Sequence, residues 1–586
     1  MRNWRTPCAL ALVCWSPAVL AAGPALDEEA RGERAPELAL GHSSEPAVAV
    51  ATDRESGGAV GSAPPLEAPA PWQSSHGLVL GELRARLPPL AWDDELAFAA
   101  VLARPLVVRS LAEPPERFSL RLPLAPRVLG HASLALRGAV PVVLPPVDYN
   151  LGKPERGVVE VLRALSGVVW INWVGWQFDW FTNDRAKFIV TRETLKRNFE
   201  AGFGYDQDSF KTNFFGHPYH GSLYFGSARG AGLDFWESLP LPWFGSFIWE
   251  YFGETQLPSV NDFIATSFGG TVLGEALFRL SNEVFDDSLR GPERLWRELG
   301  GSALSPMYGV QRFVTGRSFA DGAPPLRNRR VDIEVQGGIN RLSSQNLEGQ
   351  QEYEPSLHVG LDVEYGDLLP RPGRRNIEPY QFFEGYATCS FMPSKVVGAQ
   401  LYIQGPMYGW NTYLSDEGTS HPDNRVFAVT QFIDFESSNL IEFGGAGLGV
   451  GEYLVLRFRN GMRYRLSGDA QFAVLSGVTS LRSEEKDGRT YNFSVGGTVE
   501  LTSRFNMLRY GELGFRGRHY VTVIIDTEGT ESIGYYRFWY ELPLLTRMGI
   551  GVAPILAYRS SSSEGADPRV LNAATIMGEL YMFGAF

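Results

Sequence analysis

Cysteine is nearly absent from this 586-residue chain: there are three, and two of them, Cys8 and Cys14, fall in the first 22 residues. If that stretch is removed on export, Cys389 stands alone and no disulfide framework can form within the chain, so stability must come from packing and backbone pairing. Long apolar runs are missing too. No segment offers about 20 consecutive apolar residues, the length a transmembrane helix needs. The best candidate is the uncharged stretch Ala164 to Phe178, bounded by Glu160 and Arg163 before it and Asp179 after it, which reads as a buried or interfacial helix. If the chain enters a membrane, it must do so as a closed barrel, because only helices and closed barrels satisfy every backbone polar group in lipid. A basic surplus is lacking as well. Lys and Arg total 53 against 66 Asp and Glu, a net charge of −13 that becomes more negative if Arg2 and Arg5 leave with a leader. Nucleic acid is excluded as a partner on that balance. No Gly-x-Ser-x-Gly elbow occurs, and Ser238 and Ser246 have no general base nearby in sequence, which argues against a serine nucleophile.

What is present is apolar, aromatic and glycine-rich. Hydrophobic residues make up 44% and charged residues only 20%, with 64 Gly, 36 Phe, 23 Tyr and 14 Trp. That composition excludes wholesale disorder and suits short turns and aromatic girdles. The first residues read as a secretory signal, with Arg2 and Arg5 as the positive region, Ala9 to Trp15 and Ala18 to Leu20 as the apolar region, and Ala21-Ala22 as the small-residue exit. A lipoprotein signal on Cys14 is the alternative, but Ala11-Leu12-Val13 lacks a small residue next to the cysteine. Residues 23–75 are rich in Ala, Pro, Glu, Gly and Ser and read as a disordered linker. Residues 76–154 regain Leu and Val but are broken by Pro-Pro pairs at 88, 114 and 145, so they read as irregular or short-strand structure.

From 155 to 330 the pattern becomes helical, with four or five helices expected. One runs from about Val158 to Phe181 and another from about Arg192 to Ala201. Pro242 suits the first turn of a third, Trp243 to Gly253. Ser259-Val-Asn-Asp262 has the form of a helix cap opening a fourth, Val260 to Phe285, where Gly270 and Gly274 invite close helix contact.

After Val331 the period switches to two. Val331, Ile333, Val335 and Ile339 alternate with Asp332, Glu334, Gln336 and Asn340, and the pattern recurs over Leu357 to Tyr365, Met462 to Ser476 and Tyr491 to Thr502. Segments bounded by turn residues give about 12 strands from 331 to 586, an even number suited to a bacterial barrel. Many run 12 to 18 residues, against the 5 or 6 usual in soluble sheets and enough to cross a bilayer obliquely. A secreted sandwich or lipocalin-like barrel would alternate similarly but turn its apolar face inward. The final strand, Ala573 to Phe586, carries Glu579 as its one charge and places Ile576, Leu580 and Met582 on the face of the terminal Phe586. It resembles the carboxy-terminal signal by which the assembly machinery recognises outer-membrane barrels. The expected fold class is therefore α+β: a mainly antiparallel transmembrane β-barrel preceded by a helical segment. The outer membrane of a Gram-negative cell is the expected location, with its lipid and the barrel-assembly machinery as partners.

Candidate chemistry lies in the helical segment. Ser246, Glu250 and Glu254 are spaced i, i+4, i+8 and share one face of the third helix, in an aromatic setting that would raise the carboxyl pKa values. His217 and His220 sit in a Pro-containing turn, and with Glu250, Glu254 and Asp262 they could assemble an imidazole–carboxylate site. Duller readings compete with each. Buried glutamates commonly pair with arginine, and Arg229 and Arg279 are available; Ser259 and Asp262 suit a cap; the histidines suit turn hydrogen bonds. Asn213 and Arg229 complete the expected binding residues, and no cofactor or metal is expected, His217, His220 and Glu250 being the only weak metal candidates.

The stretch from about Arg156 to Arg330 resembles an uncharacterised bacterial family, domain of unknown function 3943. The residues that carry the resemblance are Asn213-Phe-Phe-Gly-His217-Pro-Tyr-His220-Gly221, Ser227-Ala-Arg229, Phe235-Trp-Glu-Ser238, Trp249-Glu250-Tyr-Phe-Gly-Glu254, Pro258-Ser-Val-Asn-Asp262, Gly269-Gly270, Gly274-Glu275, Arg279-Leu-Ser and Ser305-Pro306-Met. The resemblance implies an envelope protein with no assigned activity. Two functions follow from the residues. In one, the helices plug or dock against the barrel in a non-catalytic envelope role such as transport, lipid handling or envelope organisation. In the other, a membrane-bound enzyme acts on lipid or lipopolysaccharide through Glu250, Glu254 and His220. The small-molecule or lipid ligand is not legible.

Overall fold

A computed structural model describes residues 157–586 except for 183–184, 323–324, 326–329, 346–350, 367–375, 394, 414–423, 439–440, 480–489, 526–528 and 563–569. The expected leader, linker and irregular region before residue 155 lie outside the described residues.

Nine α-helices precede the barrel among the described residues: α1 (Val158–Thr182), α2 (Arg192–Ala201), α3 (His217–Ala231), α4 (Phe235–Ser238), α5 (Pro240–Ile248), α6 (Val260–Ile264), α7 (Gly270–Val284), α8 (Gly291–Leu304) and α9 (Pro306–Val314). The first two match the expected helices closely. The expected third helix begins at Pro240 and passes at Trp249–Gly253 into a π turn, and the fourth is interrupted by another π turn, Ala265–Gly269. Helix α3 corrects the reading of His217 and His220 as turn residues. Its start continues a π turn, Thr212–Gly216, in which the His217 N–H reaches back to the Thr212 carbonyl. Pro218 then falls in the first turn of α3, where a missing N–H costs little. The helix escapes a periodicity test because most of its faces are covered: Tyr224, Phe225, Ser227 and Ala228 are all fully buried. Helices α3 and α7 cross at their glycines. A Cβ on Gly221 would lie 1.9 Å from the Thr266 carbonyl oxygen, one on Gly270 2.5 Å from Gly221 Cα, and one on Gly274 2.8 Å from Phe225 Cβ.

The second half is a closed antiparallel barrel of 12 long strands. These are β1 (Val331–Gln345), β2 (Gln351–Gly366), β4 (Phe382–Met392), β5 (Lys395–Tyr413), β6 (Asn424–Ser438), β7 (Glu442–Arg457), β8 (Arg463–Val478), β9 (Asn492–Asn506), β10 (Glu512–Ile524), β11 (Thr530–Leu545), β12 (Met548–Ser562) and β13 (Val570–Ala585). A two-residue strand, β3 (Asn376–Ile377), pairs with β5. Each long strand pairs with its neighbour, and β13 pairs with β1 to close the ring. Phe586 extends that seam, its N–H donating to the Ile333 carbonyl at 2.8 Å. The end carrying Val331 and Phe586 is the proximal rim, and the opposite end the distal rim.

Alternation assigns the two faces. Arg504 on β9 reaches Asp362 at 3.2 Å and Glu364 at 3.1 Å on β2, a strand on the opposite side of the ring. Arg518 on β10 reaches Asp434 at 2.9 Å on β6, and its guanidinium lies 3.8 Å from the Tyr402 ring centre on β5. Contacts between non-adjacent strands can form only across the lumen, so these side chains point inward. The lumen is bridged at mid-height by charge pairs and closed toward the distal rim by Phe443, Tyr520, Ile533, Ile555 and Met577. A small pocket remains beside His358, Asp362, Arg516 and Arg537.

Residues of opposite parity form the outer wall. Over β10 to β13 and β1 that wall is bare and apolar, with Val521, Val523, Ile550, Val552, Ile576, Leu580 and Met582 exposed. This is a transmembrane barrel pattern, polar within and apolar without. Over β2 to β9 the wall is covered in part, Leu357, Val450, Phe472 and Val499 remaining exposed. The cross-strand row Leu361–Ala387–Leu401–Phe435–Gly444–Gly477–Phe493 runs from strand to strand in register, and nearly all of it packs into one cluster with Phe210, Phe214, Phe225, Val272 and Leu273 of the helical unit. Phe214 fills the space that two glycines leave: a Cβ on Gly444 would sit 2.3 Å from Phe214 Cβ, and one on Gly477 2.1 Å from its ring. The described helices therefore lie against the outside of the barrel, the docked and not the plugged arrangement of the two expected. The physical reason is parity: lumen positions already hold paired charges, while the apolar and glycine positions that can receive aromatic rings point outward.

Candidate functional site

Most of the buried charge in the helical unit is compensated. Glu275 on α7 is fully buried between Arg229 on α3 and Arg279 one turn on, each at 2.7 Å. Asp287 and Glu298 similarly hold Arg312, with Arg317 on Asp287 at 2.9 Å. These are packing devices. They also redirect two expectations: Arg229 and Arg279 do not pair with Glu250 or Glu254, and Arg229 is a structural residue, with 2% of its surface exposed.

A second group is different. The loop after α2 carries Asp206 and Asp208, α3 begins with His217, the π turn after α5 carries Glu250, and Glu254 and Asp262 flank the entry to α6. His217 Nε2 lies 3.2 Å from Asp262 Oδ1. Ligand-type atoms of Asp206, Asp208 and His217 all lie within 4.8 Å of one another, close enough to share one ion. Asn261 donates to Asp206 and to Asp262, both at 2.8 Å, and Asn213 donates to Asp206 at 2.9 Å. Asn213 also meets Tyr491 OH at 2.6 Å, and that hydroxyl donates to the Asp208 carbonyl at 3.0 Å. Tyr491 immediately precedes β9, so the group sits at the distal rim, against the outer wall.

Local sequence explains the assembly. Ser259 caps α6, accepting the Asp262 N–H, while its own N–H donates to Glu250 Oε2 at 2.8 Å. The i, i+4, i+8 face expected for Ser246, Glu250 and Glu254 does not persist, because the π turn changes the angular step and Glu254 lies beyond it in extended backbone (φ −138°, ψ 167°). Ser246 is buried on α5, and among the described residues its hydroxyl makes no hydrogen bond to the acidic group. His220 faces elsewhere, packed 4.9 Å from the Tyr224 ring and 5.6 Å from Trp249.

Protonation follows from crowding. Burial first and the Glu254 charge second push the Glu250 carboxyl well above its ordinary range. Burial, then Asp208 and Asp206, raise Glu254 to about 8, with Lys187 opposing. Burial and the neighbouring carboxylates raise Asp262 in the same way, and burial with Asp206 raises Asp208. Burial lowers His217. At neutral pH the site thus holds a neutral imidazole able to accept a proton and a carboxyl able to give one. Exposed aromatic side chains border it: Phe203 and Tyr205 precede Asp206, and Phe199, Phe247 and Phe252 surround Tyr251 beside Glu250.

Sequence reasoning singled out His217, Asn213, Glu250, Glu254 and Asp262, which this group includes. It missed Asp206 and Asp208, whose Asp-Gln-Asp spacing in an aromatic loop was the available signal, and Tyr491, for which a position some 280 residues away offers none.

Residues 202–307 match the family described as a domain of unknown function (DUF3943), a narrower span than the expected one but containing every motif that suggested it. No curated protein matches the chain. Among solved structures, the NanC porin is similar at 9% identity, TM-score 0.23, over 43% of this chain and 98% of that one. The outer membrane channel DcaP of Acinetobacter baumannii is similar at 12% identity, TM-score 0.19, over 44% and 97%. An outer membrane channel from Pseudomonas putida F1 is similar at 12% identity, TM-score 0.23, over 45% and 97%.

Proposed function

We propose that this protein is an outer-membrane lipid-handling protein whose barrel is a scaffold and whose working site is the acid–histidine group at the distal rim. The observation that carries the reading is the convergence of His217 with Asp262, Asp206 and Asp208 next to exposed aromatic residues, on the outside of the barrel. Aromatic rings suit acyl chains and the membrane interface, whereas the proton donors and acceptors suit a polar headgroup. The chemistry best supported is hydrolysis of an ester bond: His217, held against Asp262, takes a proton from a water molecule, the resulting hydroxide adds to the ester carbonyl, and Glu254 gives its proton to the departing alcohol oxygen as the C–O bond breaks. Transport through the lumen has less support, because Arg504 and Arg518 bridge it. The bare apolar wall supports membrane residence, and β13 with its terminal Phe586 is the element the barrel-assembly machinery would engage.

The test is full-length protein in vesicles of outer-membrane lipid, with lipid extracts followed by mass spectrometry over time. A mass change in one lipid class with the wild type, reduced at least about 100-fold in His217→Ala and Asp262→Asn, supports the reading. Unchanged lipid with correctly folded wild type would overturn the catalytic part of it.

A further inference from the structure

The helical unit covers the barrel wall from one rim to the other. Phe214 enters the glycine-lined recess near the distal ends of β7 and β8. At the proximal rim Arg279 on α7 donates to the Pro379 carbonyl at 2.7 Å, in the segment between β2 and β4, and Phe235 meets Tyr380 with ring centres 5.6 Å apart. A barrel that spans a bilayer therefore carries this unit within the same slab.

Helix α1 lies on the outer side of that layer, antiparallel to α3. Arg163 donates to the Ala231 carbonyl at 3.3 Å, Ser227 to Ala164 at 3.4 Å, Tyr224 to the Asn172 side chain at 2.8 Å, and Gly175 faces Trp249 and His220. It thus runs from the proximal rim toward the distal rim. Ala164, Val168, Ile171 and Asn172 form its buried stripe. The opposite face carries no charge: Val169, Trp170, Trp173, Val174 and Phe178 are exposed, Trp173 at 57%. Only 28% of its most apolar window is buried, so of the buried and interfacial placements expected from sequence the buried one does not hold. A helix facing water would place charged residues there. Twenty-five residues rising about 1.5 Å each exceed a hydrocarbon core of about 30 Å. Between the nearest charged residues, Arg163 and Asp179, the uncharged stretch is 15 residues, about 22 Å, so a crossing requires Glu160 and Arg163, paired at 3.1 Å, and Asp179 to reach from inside the helix ends toward the two interfaces.

We propose that α1 is a transmembrane helix attached to the side of the barrel, its exposed face covered by lipid acyl chains. That face and the outer wall of β10 to β13 and β1 are alike in exposing apolar side chains without charge. The crossing delivers the loop with Asp206 and Asp208 to the distal rim, where the acidic group meets the membrane interface. The inference rests on the reading of the barrel as membrane-spanning.

Full-length protein in lipid vesicles, with Cys8, Cys14 and Cys389 replaced by Ser, would be spin-labelled at single cysteines. Trp173→Cys reports on α1, with Val169→Cys as an independent second position; Leu580→Cys reports on the barrel wall and Lys196→Cys on water. Labels at 173, 169 and 580 are expected to be accessible to oxygen and shielded at least about 10-fold from a polar nickel chelate relative to the label at 196. Nickel access at 173 and 169 with shielding at 580 would overturn the α1 proposal while leaving the barrel in the membrane. Nickel access at 580 as well would overturn both.

Discussion

Charge is buried in two places in this protein, and the two differ in balance. In the lumen, Asp362, Glu364, Asp434 and Glu500 face Arg465, Arg504, Arg516 and Arg518 across the barrel. At the distal rim, Asp206, Asp208, Glu250, Glu254 and Asp262 gather around one histidine; His217 meets Asp262 at 3.2 Å, but burial keeps the imidazole neutral, and among the described residues no Lys or Arg stands in salt-bridge contact with any of the five. A compensated network holds its geometry as long as both signs are present. An uncompensated one resists full ionisation, and its groups are thereby poised to exchange protons. The same residue type thus pairs with arginine in one set and crowds its own kind in the other, although the lumen also holds Asp469 and Glu436, which accept from the Tyr453 hydroxyl and the Gln400 amide.

The comparison breaks most visibly at Arg518. Arg518→Ala leaves Asp434 buried without its cation and Glu500 with only the 3.9 Å contact to Arg516, and removal of one partner of a buried pair costs about 3–5 kcal/mol. The expected readout is a large drop in the urea midpoint, followed by loss of heat-modifiable gel migration. A cost below about 1 kcal/mol would mean that the lumen is wet and the network incidental. A smaller effect is expected where the helical unit docks. Gly444→Val inserts a side chain where Phe214 already stands, an overpacking that costs about 1–3 kcal/mol. Because the barrel ladder does not pass through that contact, heat-modifiable migration should persist while limited proteolysis releases the helices. Simultaneous loss of both would show that helices and barrel fold as one unit.

The barrel was largely legible because its code is local. Period-two alternation in 331–586, the turn residues and the run to Phe586 specify strands, number and faces without knowledge of any partner. The helices were legible where they form one long uncharged run, as in α1, or keep a polar face or a cap, as in α2 and at Ser259. Helix α3 was hidden because nearly every face is buried and its proline sits in the first turn. The docking side was hidden for another reason. Outward glycines such as Gly444 and Gly477 look like strand weakness in sequence and become a recess only when Phe214, some 230 residues earlier, is placed in it. The acidic group was half legible: Glu250, Asp262 and His217 stood out by type and spacing, but their convergence with Asp206 and Asp208 depends on two π turns that no periodicity announces.

The smallest effect separates the two charge networks most sharply, and its sign can be worked out. Glu254 titrates near 4.5 when unfolded and at about 8 in the fold, so between those values the folded state holds a proton that the unfolded state has lost. Its contribution is fully present below 4.5 and is lost as pH rises through 8. His217, lowered in the fold, acts oppositely, its contribution being lost as pH falls below its unfolded value of about 6.5. Glu254→Gln should therefore leave stability near pH 5 almost unchanged and remove part of the decline between pH 5 and 8. Urea midpoints of wild type and variant measured across that range give the comparison, and taking their difference cancels the lumen carboxyls common to both. If the two curves stay parallel, Glu254 is already ionised in the folded protein, and the contrast between a paired lumen and a proton-holding rim loses its acid.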